Sequence, residues 1–263
     1  MILIKRNPLI SFLVLAFMTS WLIWLPLWIG GKDTSRLSVV FLLVGGLGPL
    51  FAALLVSAIT GTILEFKSRM LKWRVGFRWY LAALLIPIAV YLLAYLLYLI
   101  LGGTPMDFSA ADPVYIYPLA LLFVMLLGGG LEEPGWRGFA LPRLQEMFSP
   151  FISSMILGLL WAFWHFPLFF SAASAQSDLP LSWYIPNAIA LAIIFTWLFN
   201  KSGGSAFLAI ILHGGVNAPS GWYPLGTTIE TVLGPVSSYA PITLSSWIVV
   251  AVIMTISGLK AHK

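Results

Sequence analysis

The stretch "YPLALLFVMLLGGGLEEPGWRG", residues 117–138, begins as a membrane span and ends as something else. Eleven residues, five of them Leu, lead into three glycines. Two adjacent carboxylates, a proline and an arginine follow. Hydrocarbon is a costly place for an ionised side chain, so such groups inside a span mark a functional site by default. Pro134 has no backbone N–H to donate, and in a continuous helix its ring would press on the carbonyl of Gly130. The segment is therefore expected to kink or open there, with its freed backbone groups facing protein or water rather than lipid.

The rest of the chain supplies the membrane. Of 263 residues, 60% are hydrophobic and 9% charged, against roughly 25% charged in a soluble domain. A spanning helix needs about 20 apolar residues. Spans are predicted near 9–29, 38–58, 79–101, 115–137, 151–171, 183–199, 205–222 and 242–258. The fold class is thus an all-α membrane protein, a bundle of about eight transmembrane helices forming one integral-membrane domain over 1–263. The first apolar run follows Lys5 and Arg6 but is too long for a signal peptide and lacks a cleavage site, so it reads as a span. There is no cysteine, which excludes disulfides, a thiolate nucleophile and a thiolate metal site.

The net charge of +5 is distributed by topology. With both termini in the cytoplasm, inside segments hold Lys5, Arg6, Lys67, Arg69, Lys72, Arg74, Arg78, Arg137, Arg143, Lys201, Lys260 and Lys263. Outside segments hold only Lys32 and Arg36, as the positive-inside rule requires. No nucleic-acid partner is expected. The basic segment at residues 65–78 is a topology signal and a candidate contact for anionic lipids. Trp21, Trp24, Trp28, Trp79, Tyr80, Trp183 and Tyr184 are expected in an interfacial aromatic belt. The connection "YPLGTTIETVLGPVSSYAP" reads as a re-entrant segment or surface cap.

The ionisable groups within spans are few: Glu132, Glu133, His165 and His213, with Arg137 at an inner helix end and Asn217 as a further polar residue. His262 lies in the tail. At about 1.5 Å per residue, Glu132, His165 and His213 all fall in the inner half or near the midplane. Glu133 and Arg137 are four apart on one face and form an ion pair. Glu132 points about 100° away, has no partner in its own helix, and is left for general acid or base work. His165 follows Trp161 by four residues. His213 and Asn217 share a face and are two potential donors to an oxyanion. Each feature alone has a structural reading: interfacial charge, a clasp, aromatic packing, a bond between helices. The set at one depth points to chemistry.

Three motifs carry a resemblance. "EEPGWRG" fits E-E-x-x-x-R, "WAFWH" fits aromatic-x-x-x-H, and "HGGVN" fits H-x-x-x-N. In this order they resemble the CAAX protease and bacteriocin-processing family of intramembrane proteases (CPBP, or Abi), over a core of about residues 37–220. Trp161 stands where phenylalanine is commoner. The resemblance implies a multi-pass endopeptidase acting on a membrane-associated polypeptide with a prenylated or apolar C-terminal segment; the compact chain, without obvious organelle signals, reads as a plasma-membrane protein of bacterial or archaeal type. It implies that Glu132 with His165 activates water, that His213 and Asn217 stabilise the oxyanion, and that Glu133 and Arg137 hold the shape of the site. A zinc ion on Glu132, His165 and His213 is the alternative. No cofactor is favoured, because Asn217 suits an oxyanion hole better than a zinc shell and no His-Glu-x-x-His helix is present. Two other classes stand beside the protease: a non-proteolytic scaffold or immunity factor, and a transporter using Glu132 and His165 as a proton relay.

Overall fold

The computed structural model describes residues 2–30, 36–105, 109, 111–231 and 234–259. Lys32, Lys260, His262 and Lys263 lie outside the described residues. The helices in chain order are α1 (Ile2–Arg6), α2 (Pro8–Gly30), α3 (Arg36–Gly46), α4 (Gly48–Thr60), α5 (Ile63–Met70) and α6 (Phe77–Ile100). They continue as α7 (Tyr117–Leu126), α8 (Leu141–Gln145), α9 (Pro150–Trp164), α10 (Leu181–Lys201), α11 (Ala206–Asn217) and α12 (Tyr239–Ile256).

Seven helical stretches among the described residues are long and apolar enough to cross a membrane. They cover Pro8–Ile29, Arg36–Thr60, Phe77–Ile100, Val114–Glu132, Pro150–Phe170, Leu181–Lys201 and Tyr239–Ile256. The chain is a multi-pass, all-α membrane protein. The span expected at 205–222 differs: α11 has 12 residues and is about 18 Å long, well short of the roughly 30 Å hydrocarbon layer. Ser205 sets its start by accepting a hydrogen bond from Leu208 N at 3.1 Å. Its residues Ala206 and Leu208–Gly215 are buried, as befits a helix apolar on all sides. Gly214 and Gly215 let it sit close to α7 and α6. An added Cβ would meet Met125 Cγ at 2.7 Å in the first case and Pro87 Cγ at 2.7 Å in the second.

The span expected at 115–137 is also not one helix. It breaks earlier than Pro134, at residues 127–129, where Gly129 takes φ +115°, a value that favours glycine. A 3-10 turn covers Gly130–Glu132, and a π-helical segment, Pro134–Ala140, leads into α8. Pro134 thus opens the second helix, where its missing N–H would have no partner anyway. It forces no kink.

The loops sort into two ends. At one, Lys72 Nζ donates to Gly203 O at 2.5 Å, Arg69 to Gly138 O at 3.3 Å, and Arg143 to Thr62 Oγ1 at 3.3 Å. At the other, the expected cap is a β-hairpin, β1 (Thr228–Thr231) paired antiparallel with β2 (Gly234–Ser237). There Trp222 Nε1 donates to Asp112 O at 2.7 Å. Segments expected inside thus meet at one end, and segments expected outside meet at the other. Two belt residues depart from expectation. Trp24 is buried with its N–H on Leu42 O at 3.1 Å, and Tyr184 is buried at the central cavity.

Candidate active site

Glu132 ends the 3-10 turn and Glu133 begins the next helix, so the two carboxylates diverge by about 100°. Glu133 is fully buried, as is Arg137. Arg137 Nη1 donates to Glu133 Oε1 at 2.9 Å, the i,i+4 pair read from the sequence. A second donor reaches the same oxygen: His213 Nδ1, at 2.8 Å, from α11. The remaining guanidinium surface is covered by aromatic faces. Its carbon lies 4.8 Å from the Trp161 ring centre and 4.3 Å from that of Phe195, an attraction that grows as water is removed.

A carboxylate only accepts, so the bond to Glu133 fixes the proton of neutral His213 on Nδ1. Its Nε2 then presents a lone pair, and Asn217 Nδ2 lies 3.0 Å away. That pairing uses one amide hydrogen of Asn217 and leaves the other for a further acceptor. Of the two side-by-side donors expected from the sequence, Asn217 has an amide hydrogen to offer and neutral His213 has none at Nε2. His213 becomes a donor at Nε2 only as the imidazolium, whose charge the Glu133 carboxylate would balance.

The other half of the site hangs on α9. Trp161 Nε1 donates to Glu132 Oε2 at 2.9 Å. His165 Nδ1 lies 2.8 Å from Trp161 O. A carbonyl only accepts, so neutral His165 carries its proton on Nδ1 and keeps a lone pair on Nε2. Glu132, His165, His213 and Asn217 all line one cavity of about 400 Å³. Its wall is otherwise mainly apolar, with Leu42 and Leu43 of α3 and Phe123, Val124 and Leu127 on the α7 side. Gly129 forms part of this wall. A Cβ there would stand 2.6 Å from His213 Nε2 and 3.2 Å from Glu132 Oε1.

The structure therefore brings Glu132, His165, His213 and Asn217 to one space and sets Glu133 and Arg137 behind it. Sequence reasoning did not find the Glu133–His213 bond or the indole bond to Glu132. It also passed over Asn187, buried at the cavity on α10 with Nδ2 on the hydroxyl of Tyr239 at 2.7 Å. An asparagine within the apolar run of α10 was the signal available for it. For zinc, the donors would be Glu132, His165 and His213. Among the described residues no three His, Cys, Asp or Glu side chains are grouped so as to hold one ion.

Residues 114–219 match the family described as type II CAAX prenyl endopeptidase Rce1-like. That segment contains all three motifs, so the resemblance read from them meets an independent match; it is shorter than the core expected at 37–220. The chain is also similar to a protein named CAAX prenyl protease 2 from Methanococcus maripaludis, with 41% identity over 88 residues. The alignment covers 31% of this chain and 32% of that protein. The chain thus spans about a third of the length of this curated relative.

Proposed function

We propose that this protein is an intramembrane endopeptidase that hydrolyses a peptide bond of a membrane-associated polypeptide. The observation that carries the reading is the convergence of Glu132, His165, His213 and Asn217 on one largely apolar cavity. Polar groups collected in such a space are the usual form of a binding or catalytic site.

The chemistry follows from the donors and acceptors present. Glu132 and the Nε2 lone pair of His165 take a proton from water as its oxygen bonds to the scissile carbonyl carbon. The carbonyl oxygen becomes an oxyanion, which accepts the second amide hydrogen of Asn217; His213 donates its own Nε2–H there only once it is protonated and Asn217 Nδ2 has moved off that nitrogen. Collapse breaks the C–N bond. The proton taken from water passes to the leaving nitrogen, and the second water proton follows from the new carboxylic acid, so one water yields a carboxylate and an ammonium group. Glu133 and Arg137 do not touch the substrate in this scheme; they orient His213 and support Trp161. No step runs through a metal.

The substrate class proposed is a polypeptide with a prenylated or apolar C-terminal segment. The apolar cavity wall supports it, as does the printed name of the relative, a CAAX prenyl protease. The site is assigned to the cytoplasmic side of a prokaryotic plasma membrane on the charge distribution and the archaeal source of that relative. Anionic lipid is the proposed companion of residues 65–78. Lys67, Arg74 and Arg78 are exposed there, and the exposed Leu71, Trp73 and Phe77 lie among them.

The test uses proteoliposomes and two quenched fluorescent peptides of one sequence, one ending in an S-farnesylated CAAX motif and one unmodified. The farnesylated peptide is expected to be cut, and Glu132→Gln to lower kcat by about 10²- to 10⁴-fold. Full activity in Glu132→Gln would refute the assignment of the base. Loss of activity on chelation, restored by zinc, would refute the metal-free route. No cleavage of either peptide would refute the substrate class.

A further inference from the structure

We infer that Trp161 is a positioning residue that holds Glu132 and His165 in register with each other, a role that rests on the reaction proposed above. The side chain is almost fully buried, which ordinary packing would also explain. Packing does not explain where its polar atoms go. Its indole N–H donates to Glu132 Oε2 at 2.9 Å, and its own carbonyl accepts from His165 Nδ1 at 2.8 Å. A single residue thus fixes the carboxylate and sets the tautomer of the imidazole. Both bonds start from one residue of α9, the first from its side chain and the second from its backbone, so the carboxylate and the imidazole share one anchor.

The indole also selects an oxygen. With Oε2 engaged, Oε1 remains as the working atom of Glu132. It is the oxygen on the Gly129 side, where an added Cβ would touch both it and His213 Nε2. The oxygen left free therefore faces the half of the site that holds His213 and Asn217. The same ring meets His213 in a T-shaped contact, with centroids 5.8 Å apart, and presents its face to Arg137. Trp161 is in contact with both halves of the machinery. A phenyl ring at this position would keep most of the packing but could not donate. Charge-assisted bonds of this kind are roughly twice as strong as neutral ones.

The experiment compares three variants of the full chain in proteoliposomes with the farnesylated peptide. Replacing Trp161 by β-(3-benzothienyl)alanine keeps the bicyclic shape and deletes only the donor. Trp161→Phe deletes the donor and part of the ring. Both are expected to lower kcat by about 10- to 100-fold, the worth of one hydrogen bond to a charged group, while KM stays within about twofold. A residue that merely packs would show its loss in Trp161→Phe and not in the benzothienyl variant. Wild-type kcat in the benzothienyl variant, with Glu132→Gln inactive, would overturn the inference and leave the proposed reaction standing. Activity in Glu132→Gln would overturn the reaction, and the inference with it.

Discussion

Arg137→Met places the sharpest demand on the buried charges. In the wild type the guanidinium and the Glu133 carboxylate are both fully buried and 2.9 Å apart. The substitution keeps a long apolar side chain between Trp161 and Phe195 but strands the carboxylate. Removing one partner of a buried pair costs about 3–5 kcal/mol, because the other charge stays in a poorly polarisable interior. His213 Nδ1 still donates to the same oxygen, which favours the lower end of that range. For a chain of this size each kcal/mol corresponds to about 2–4 °C in melting temperature, so a fall of about 6–20 °C is expected. Replacing the pair together, Glu133→Gln with Arg137→Met, removes the stranded charge and is expected to restore most of the loss. It is not expected to restore activity, because a glutamine no longer balances charge on His213. Thermal unfolding in detergent, followed by tryptophan fluorescence, checks the first point, and peptide cleavage checks the second. A double variant that melts lower than Arg137→Met alone would refute the reasoning.

Other outcomes follow from the same geometry. Asn217→Ala removes the free amide hydrogen and is expected to lower kcat by about 10²- to 10³-fold with little change in KM, read from steady-state cleavage. Gly129→Ala puts a methyl group 2.6 Å from His213 Nε2 at a φ that disfavours any side chain. It is expected to destabilise the protein by about 1–3 kcal/mol and to abolish cleavage, measured by melting and activity together. Charge reversal of Lys67, Arg74 and Arg78 to Glu is expected to weaken the salt-sensitive preference for vesicles containing phosphatidylglycerol over phosphatidylcholine alone. Flotation at low and high salt reads that preference.

Much of this site was legible along single helices. Glu133 with Arg137, and His213 with Asn217, are i,i+4 neighbours whose meeting follows from helical geometry, and the divergence of Glu132 from Glu133 follows from their adjacency. What could not be read were bonds between helices. The Glu133–His213 contact joins residues 80 apart in the chain, and nothing local to either predicts it. Trp161 was visible as the motif aromatic four residues before His165, but not as a donor, since its N–H gains meaning only once Glu132 is beside it. The helix break was legible as a fact but not in place. Pro134 drew the expectation, yet Gly129 sets the turn, because proline is at ease at the start of a helix. The span expected at 205–222 failed for a related reason: apolar character reports burial, and burial inside protein looks the same as burial in lipid.

The short α11 has a consequence for how the membrane acts on this protein. A bilayer thicker or thinner than a helix makes that helix tilt or shift, but the demand falls on helices that touch lipid. α7, whose residues are all at least partly exposed, must answer to it, and so must the outer face of α2. α11, whose Ala206 and Leu208–Gly215 are buried, meets such changes only through the helices packed on it, α7 at Gly214 and α6 at Gly215. The glycine turn at 128–130 separates α7 from Glu132, so a tilt of α7 can be taken up before it reaches the carboxylate. Membrane thickness therefore acts on His213 and Asn217 second-hand, through the packing of α7 and α6 on α11, and on Glu132 across the glycine turn.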